Sequence, residues 1–265
     1  MSAAAVITLT TDFGTRDPYV GVMKAAMLQR IDRIDIIDLT HEVAPFRPEE
    51  AGFWLQCCRA HFPDGSVHVA VVDPGVGTER ALLAVRSQRQ LFLAPDNGLL
   101  GLLCQSDPCA ETRRIEVAAL SPWRIATRSA TFHGRDILGP LAAELASGRC
   151  QFEQIGPPAQ PDPGRLEPAR RLADGTVKGV VAAIDRYGNL LTTVDAGLVA
   201  ALPRPQVQLG QRQFDLVRTY GEATAGAYVA LINSFGVLEI ARSGGSAAAG
   251  LAAEWGANVT VASRR

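Results

Sequence analysis

The chain carries almost no lysine: Lys24 and Lys178 are the only two among 26 basic side chains. Its arginines are scattered, paired only at 113–114, 170–171 and 264–265, so no polybasic patch is predicted to meet a membrane surface. Neither charge is in excess. With 27 acidic residues the net charge is -1, which offers no basic footprint for nucleic acid and no acidic tail. Cysteine is sparse as well. Cys57 and Cys58 are adjacent, Cys150 stands alone, and no C-x-x-C pair exists among the five. The four histidines (His41, His61, His68, His133) show no zinc spacing, so neither a disulfide scaffold nor a metal site is predicted. The odd thiol count suits a reducing compartment, and the expected location is cytoplasmic.

Long apolar runs are absent too. Nothing approaches 18 consecutive apolar residues, and Met1–Ala5 carry no basic side chain, so no membrane span is expected. No Gly-Lys-Ser/Thr occurs, and Gly75-Val76-Gly77 lacks the third glycine of a dinucleotide cradle. A nucleoside triphosphate or nicotinamide cofactor is therefore disfavoured. No serine occupies a nucleophile elbow, which argues against a serine hydrolase.

What is present is ample core material. Hydrophobic residues make up 47% and charged residues 20% of 265, enough for one large domain or two modest ones. The first half alternates strand-like and helix-like segments. Val6–Thr10, Ile34–Leu39 and Val67–Val72 read as strands, and 81–86 with 91–94 as a strand pair. Tyr19–Ile31, Pro48–His61, Gly98–Cys104 and Phe132–Ser147 read as helices. Such alternation predicts an α/β domain with a largely parallel sheet covered by helices. From Gly156 to Pro168 lie five prolines, a linker signature. Beyond it, short glycine-punctuated β runs (176–184, 190–194, 207–209, 213–216, 228–233, 237–241, 258–262) predict a smaller all-β, barrel-like domain. The expected organisation is 1–155 as the α/β domain, 156–175 as linker and 176–265 as the β-barrel-like domain.

Polar residues gather where these strands end. Asp12 in Thr10-Thr11-Asp12-Phe13-Gly14 follows the first strand, and a carboxylate there can grip the vicinal hydroxyls of a sugar. Asp73 in Val72-Asp73-Pro74-Gly75-Val76-Gly77 follows the third, with Arg80 seven residues on, within reach across a folded glycine loop. Both motifs equally suit ordinary turns. His133, in Phe132-His133-Gly134-Arg135-Asp136, stands where a loop enters a helix, as an acid/base, a hydrogen-bond donor or a structural histidine. In the second half, Asp185-Arg186-Tyr187-Gly188-Asn189 and Asn233-Ser234-Phe235-Gly236 each end a strand with an aromatic beside amide or hydroxyl groups. Such a pair can stack on and hydrogen-bond a purine, or simply make a hairpin turn.

Taken in order, these motifs, with Asp38-Leu39-Thr40-His41-Glu42-Val43 and Ala94-Pro95-Asp96-Asn97-Gly98, resemble the S-adenosyl-L-methionine hydroxide adenosyltransferase family, which is related to bacterial fluorinases and chlorinases. The resemblance runs from about Val6 to Ala262. It implies an N-terminal α/β and a C-terminal β-barrel-like domain. It also implies a homotrimer whose active sites lie between subunits, with S-adenosyl-L-methionine and water as substrates and no cofactor. Position by position, Asp73, Arg80 and His133 match the water-activating set and Asp12 the ribose-gripping acid. Phe46 matches an aromatic lining the substrate pocket. Tyr187 and Asn189 match the aromatic and amide near the adenosyl group, and Asn233, Ser234 and Phe235 the stretch holding substrate from the barrel side. Asp185 and Glu239 are candidates for the methionine amino group.

The fluorinase pattern lacks an acid at 73 and a histidine at 133 and has serine at 134, so this chain resembles the hydroxide branch. Gly134 is expected to leave room for a larger anion. The implied reaction is hydrolysis of S-adenosyl-L-methionine to adenosine and L-methionine, by in-line attack of activated water on the ribose C5′ carbon. The competing readings are a chloride adenosyltransferase and a non-catalytic adenosine- or S-adenosyl-L-methionine-binding protein.

Overall fold

The β-branched run near the start of the chain becomes β1 (Ala5–Thr11), which lies between β2 (Ile34–Thr40) and β3 (Val67–Val71) and runs parallel to both. The computed structural model describes residues 5–264, in two units, the first ending at Arg165 and the second beginning at Leu166. A strand flanked on both edges and covered on both faces has no solvent side. Accordingly Ile7 and Leu9 are buried, and so are Thr8, Thr10 and Thr11. All five residues of β3 are buried as well.

β3 pairs in parallel with β5 (Gln90–Pro95). β4 (Leu82–Ser87) lies antiparallel to β5, and β6 (Glu111–Arg114) lies antiparallel to β4 at the edge, giving the order β2-β1-β3-β5-β4-β6. The sheet is thus mixed, with four parallel strands and an antiparallel margin. Helices cover both faces. α1 (Tyr19–Leu28) and α4 (Gly139–Ala146) bury Met23, Met27 and Leu141 against Ile7, Leu9 and Val69. α2 (Pro48–Cys58) and α3 (Gly101–Ser106) bury Ala51, Leu55 and Leu103 in a cluster with Ala70 and Phe92. Pro48 opens α2 and Glu49 and Glu50 occupy its first turn, where a proline lacks nothing and acids meet the positive end of the helix dipole.

Three local features differ from the sequence expectation. The helix expected from Gly98 begins at Gly101, because Gly98 sits at φ 85 in a turn. The helix expected over 132–147 is a π-helical stretch, Gly134–Leu138, that passes into α4 at Gly139. β6, with the sequence Glu-Thr-Arg-Arg, has no apolar alternation because it is the last named strand of the sheet, half exposed and flanked only by the 157–159 segment, which bridges to it at Arg113. The proline-rich stretch is divided between the units rather than standing apart from them. Pro157 O accepts from Arg114 N–H (3.0 Å), Ala159 N–H donates to Thr112 O (3.0 Å), and Arg165 pairs with Glu49 at 2.9 Å.

The second unit is an antiparallel sheet. β7 (Arg170–Arg171) flanks β8 (Val177–Ile184), and the main path runs β11-β10-β14-β8-β9-β13-β12. Its strands are β9 (Leu190–Asp195), β10 (Pro205–Leu209), β11 (Arg212–Asp215), β12 (Tyr228–Ile232), β13 (Val237–Arg242) and β14 (Asn258–Ser263). Leu216 bridges to Ala230, with Val217 N–H donating to Ala230 O (2.9 Å), so the two ends of the path meet in a nearly closed barrel around Val181, Leu190, Val207, Leu238 and Val261. Two short helices complete it, α5 (Ala196–Ala200), capped by the Asp195 side chain, and α6 (Ala247–Leu251), capped by Ser246. Among the described residues no helix is long and apolar enough to cross a membrane.

The parallel core decides where chemistry can sit. The carboxyl ends of β1, β2 and β3 share one edge of the sheet, which brings Asp12, His41 and Asp73 to the side where open α/β sheets take ligands.

Candidate active site

The turn that follows β1 is locked before any ligand arrives. Thr11 Oγ1 lies 2.8 Å from His41 Nδ1 and accepts from Phe13 N–H (3.2 Å), while Gly14 N–H donates to His41 O (2.7 Å). The other ring nitrogen of His41 is 3.0 Å from Asp38, which also binds Lys24 at 2.6 Å. His41 therefore holds the 11–14 turn in place. On that turn Asp12 is half-buried, and its acidity is weakened by burial and by the like charge of Asp73, against hydrogen bonds from backbone N–H groups including that of Phe46. Phe46 has a left-handed backbone (φ 63) and a side chain 71% exposed. Such a conformation is costly for a residue with a Cβ and clusters at functional sites.

The loop after β3 folds Arg80 back onto Asp73. Arg80 Nε donates to Asp73 Oδ1 at 2.7 Å and Nη2 donates to Oδ2. The same Nη2 also reaches His133 Nδ1 at 2.9 Å. Arg80 and Asp73 side chains are only 10% and 6% exposed. The loop can lie this close to the 128–131 segment because residue 77 is glycine. At φ 82 an added Cβ would come within 2.7 Å of Ala130 O.

This geometry assigns the protons. A guanidinium has donors only, so His133 Nδ1 must accept, and the imidazole is neutral with its hydrogen on Nε2. The shift of His133 agrees: burial and the Arg80 charge press its pKa below the usual 6.5, against the opposing pull of Asp73 and Asp136. The carboxylate of Asp73, although doubly bound, keeps further lone pairs for a donor such as water.

Asp12, Phe46, Asp73, His133 and Gly134 line one cavity of about 470 Å³, a size suited to a small organic ligand. Three aromatic rings that sequence reasoning missed as a group belong to its wall. Phe132 lies edge to face with Phe13 and Tyr19, which are tilted against each other, all three centroids 5.6–5.9 Å apart. Phe13 and Phe132 stand inside the motifs, but Tyr19 opens a helix, and only the tertiary fold joins the three. Gly134 does not hold open an anion-sized space on its Cβ side. An added Cβ would meet Val71 Cγ2, Met23 Sδ and Phe132 Cε2 at 3.3–3.5 Å.

The remaining candidates belong to the second unit. Asp185 accepts from the backbone N–H groups of Tyr187 (2.9 Å) and Asn189 (2.8 Å) and from the Asn189 amide (2.9 Å), which fixes a turn whose Tyr187 ring is 77% exposed. Asn233 Oδ1 accepts from Phe235 N–H (3.0 Å), and its amide donates to Glu239 (3.0 Å). Ser234 and Phe235 are exposed at the tip. Glu239 is buried and also accepts from Tyr220 Oη at 2.6 Å. Burial and the charge of Asp185 raise its pKa against those two hydrogen bonds.

Register sets these two turns apart. Leu190 pairs with Ile240 and Asp195 with Val237, so the 185–189 and 233–236 turns lie at opposite ends of the β9–β13 ladder, with Glu239 between them. Among the described residues neither Asp185 nor Glu239 has an ion-pair partner. That leaves negative potential to receive a cationic group. Tyr220 escaped sequence reasoning because it sits in a short 3-10 turn with no motif around it.

Comparison with known proteins gives a consistent set. The profile of the SAM hydroxide adenosyltransferase N-terminal domain matches residues 7–156, and that of the C-terminal domain matches residues 179–260. An (R)-S-adenosyl-L-methionine hydrolase of Thermus thermophilus is 39% identical over 244 residues, 89% of this chain and 91% of the relative. A fluorinase of Actinopolyspora mzabensis is 25% identical over 279 residues, 92% of each chain. The crystal structure of a conserved protein from Thermotoga maritima superposes with a TM-score of 0.85 at 32% identity, covering 97% of this chain and 99% of the other.

Proposed function

Because the chain belongs to the SAM hydroxide adenosyltransferase family, we propose that it hydrolyses (R)-S-adenosyl-L-methionine to adenosine and L-methionine. The observation that carries this reading is the Asp73–Arg80–His133 constellation beside Asp12 in one cavity. In the reaction a water oxygen bonds to ribose C5′ as the C5′–S bond breaks. The bonding pair goes to sulfur, which leaves as the neutral thioether of methionine, and one water proton is released. A sulfonium needs no proton in order to leave, so the demand falls on the nucleophile.

Asp73 accepts the water proton as the C–O bond forms, and Arg80 holds the carboxylate in register. His133, with its hydrogen on Nε2, supplies a hydrogen bond to the attacking oxygen. Proton transfer of this kind contributes about 10²–10⁴-fold. In-line positioning contributes as much as about 7–11 kcal/mol, so contacts that place the ribose matter at least as much as the base. Asp12 grips the ribose hydroxyls, and Phe46 with the Phe13–Tyr19–Phe132 cluster offers apolar wall to the adenosyl group.

On the barrel side, Tyr187 and Asn189 contact the adenosyl group, Asn233, Ser234 and Phe235 hold substrate from the other end of the β9–β13 ladder, and Asp185 and Glu239 receive the methionine ammonium. We propose a homotrimer in which the N-terminal unit of one copy faces the C-terminal unit of the next. Exposed aromatics on each unit support it, Phe46 on one and Tyr187 on the other. Five free thiols, with those of Cys57 and Cys150 pushed up to about 12 and about 11 by burial, are consistent with a cytoplasmic protein.

The test is product analysis with each sulfonium epimer offered separately, with and without chloride. Adenosine and methionine from the R epimer, indifferent to chloride, are expected. A 5′-chlorinated nucleoside would transfer the protein to the halide branch. Adenosine binding without turnover of either epimer would leave a binding protein.

A further inference from the structure

Asp136 is the most enclosed acid near the cavity, its side chain only 1% exposed, yet no step described above uses it. Its Oδ2 accepts two backbone N–H groups, from Arg128 (3.0 Å) and Ser129 (2.7 Å), and its Oδ1 accepts Arg135 Nε at 2.7 Å. Burial alone would raise its pKa, but these three donors outweigh it and keep the group ionised. The carboxylate therefore ties the 128–129 backbone to the first turn of the helix that begins at Gly134.

What it ties together is the wall of the cavity. Ser129 and Thr131 line the cavity with His133, and their hydroxyls lie 3.1 Å apart. Ala130, between them, is the residue against which Gly77 packs, so the loop carrying Asp73 and Arg80 rests on the segment that Asp136 pins. On its other side Asp136 N–H donates to Phe132 O (3.1 Å), and the Arg135 guanidinium lies over the Phe132 ring at 5.1 Å. The helix start itself is π-helical, closed by Gly139 N–H to Gly134 O. A π turn is rare and is found frequently at functional sites.

We propose that Asp136 is a positioning residue for the hydrolysis: by fixing the 128–131 segment to the π-helical turn it sets the meeting of His133 with Arg80 and Asp73. The inference rests on the hydrolase reading. Asp136 touches none of the reacting atoms. It acts through the two loops whose juxtaposition makes the Asp73–Arg80–His133 constellation, and a displacement of about 1 Å there is enough to cost a large part of the rate.

The matched control is Glu144, a comparably buried acid on the same helix that pairs with Arg30 and Arg149, at 2.9 and 2.7 Å. Asp136→Asn keeps one oxygen for the backbone donors but turns an amide toward Arg135, and Asp136→Ala removes every bond. The expected result is a kcat about 10-fold lower for Asp136→Asn and about 100-fold lower for Asp136→Ala, with KM changed less than threefold. Amide hydrogen exchange over residues 126–133 should be faster in both. Glu144→Gln should lower the melting temperature at least as much as Asp136→Asn while leaving kcat and that exchange unchanged. If Asp136→Asn does not fold, Asp136→Glu, which keeps the charge but lengthens the arm, should show the same fall in kcat. Unchanged kcat in the folded Asp136 variants, or an equal fall in Glu144→Gln, would overturn the proposal. Absence of turnover in the unaltered protein would instead refute the hydrolase reading, and the exchange contrast would then decide whether Asp136 pins the segment.

Discussion

Replacing Asp73 with asparagine separates the charge of the base from its shape. The substitution leaves one carbonyl oxygen for Arg80 but removes the proton acceptor that the mechanism requires. General-base assistance of about 10²–10⁴-fold corresponds to about 3–5 kcal/mol in the barrier at 1.36 kcal/mol per decade, and kcat should fall by that factor. Stability should fall too, because the Asp73 and Arg80 side chains are only 6% and 10% exposed. Removing one partner of a buried pair costs about 3–5 kcal/mol. Arg80 keeps His133 Nδ1 at 2.9 Å and the remaining amide oxygen as acceptors, so the lower figure applies, about 3 kcal/mol. For a protein of this size that is about 6–12 °C in melting temperature.

The assay is kcat and KM by chromatography, with adenosine affinity by calorimetry and a thermal scan on the same preparations. Adenosine affinity should change less than threefold, since Asp12 and the aromatic wall are untouched. Adding Arg80→Met to Asp73→Asn should cost little more in kcat, because residues acting as one unit are strongly non-additive. A kcat within threefold of the unaltered protein, or a loss of adenosine binding as large as the loss of rate, would refute the role given to Asp73.

Three further outcomes follow from the same geometry. Asp12→Ala removes a charged acceptor for the ribose hydroxyls at about 1.5–3 kcal/mol per hydrogen bond, so calorimetry should show adenosine affinity at least 10-fold weaker; unaltered affinity would remove Asp12 from the ribose. Phe46→Gly relieves a left-handed backbone that costs a Cβ-bearing residue about 1–2 kcal/mol, while adding about 0.5–1 kcal/mol of chain entropy. Urea unfolding should therefore show stability unchanged or up to about 1.5 kcal/mol higher, while KM rises. His68 is stacked on Phe92 at 4.7 Å, and burial pushes its pKa from 6.5 down to about 4. Its neutral form therefore stabilises the fold above pH 6.5, and that contribution is lost as pH falls toward 4. Between pH 7 and pH 5 urea unfolding should register about 2 kcal/mol of loss from this group. His68→Phe should abolish that part of the slope, and an unchanged slope would contradict the burial argument.

Much of the first unit was legible because its core strands are buried on both faces and read as continuous apolar runs, and because the acids stand at their ends. Asp12, Asp73 and Arg80 could be singled out from turn chemistry and local spacing alone. The bond from Arg80 to His133 spans 53 residues and comes from Gly77 letting two loops touch, which no local pattern reports. The π-helical turn was hidden for a related reason. Its apolar residues, Ile137 and Leu138, fit α-helical spacing, and the wider turn is held by Asp136 and the loop it binds. In the barrel, the two aromatic turns read alike in sequence, each an aromatic beside amide or hydroxyl groups at a strand end. The β9–β13 register places them at opposite ends of a ladder and puts Glu239 between them, because pairing rather than proximity in the chain decides which turns meet.

The most direct measurement of the central claim is turnover of (R)-S-adenosyl-L-methionine in ¹⁸O-labelled water, with the products analysed by mass spectrometry. Attack of water at C5′ predicts one labelled oxygen on the 5′ carbon of adenosine and none in methionine. Label-free adenosine, or adenine released from the ribose, would contradict attack at that carbon and with it the roles given to Asp73, Arg80 and His133.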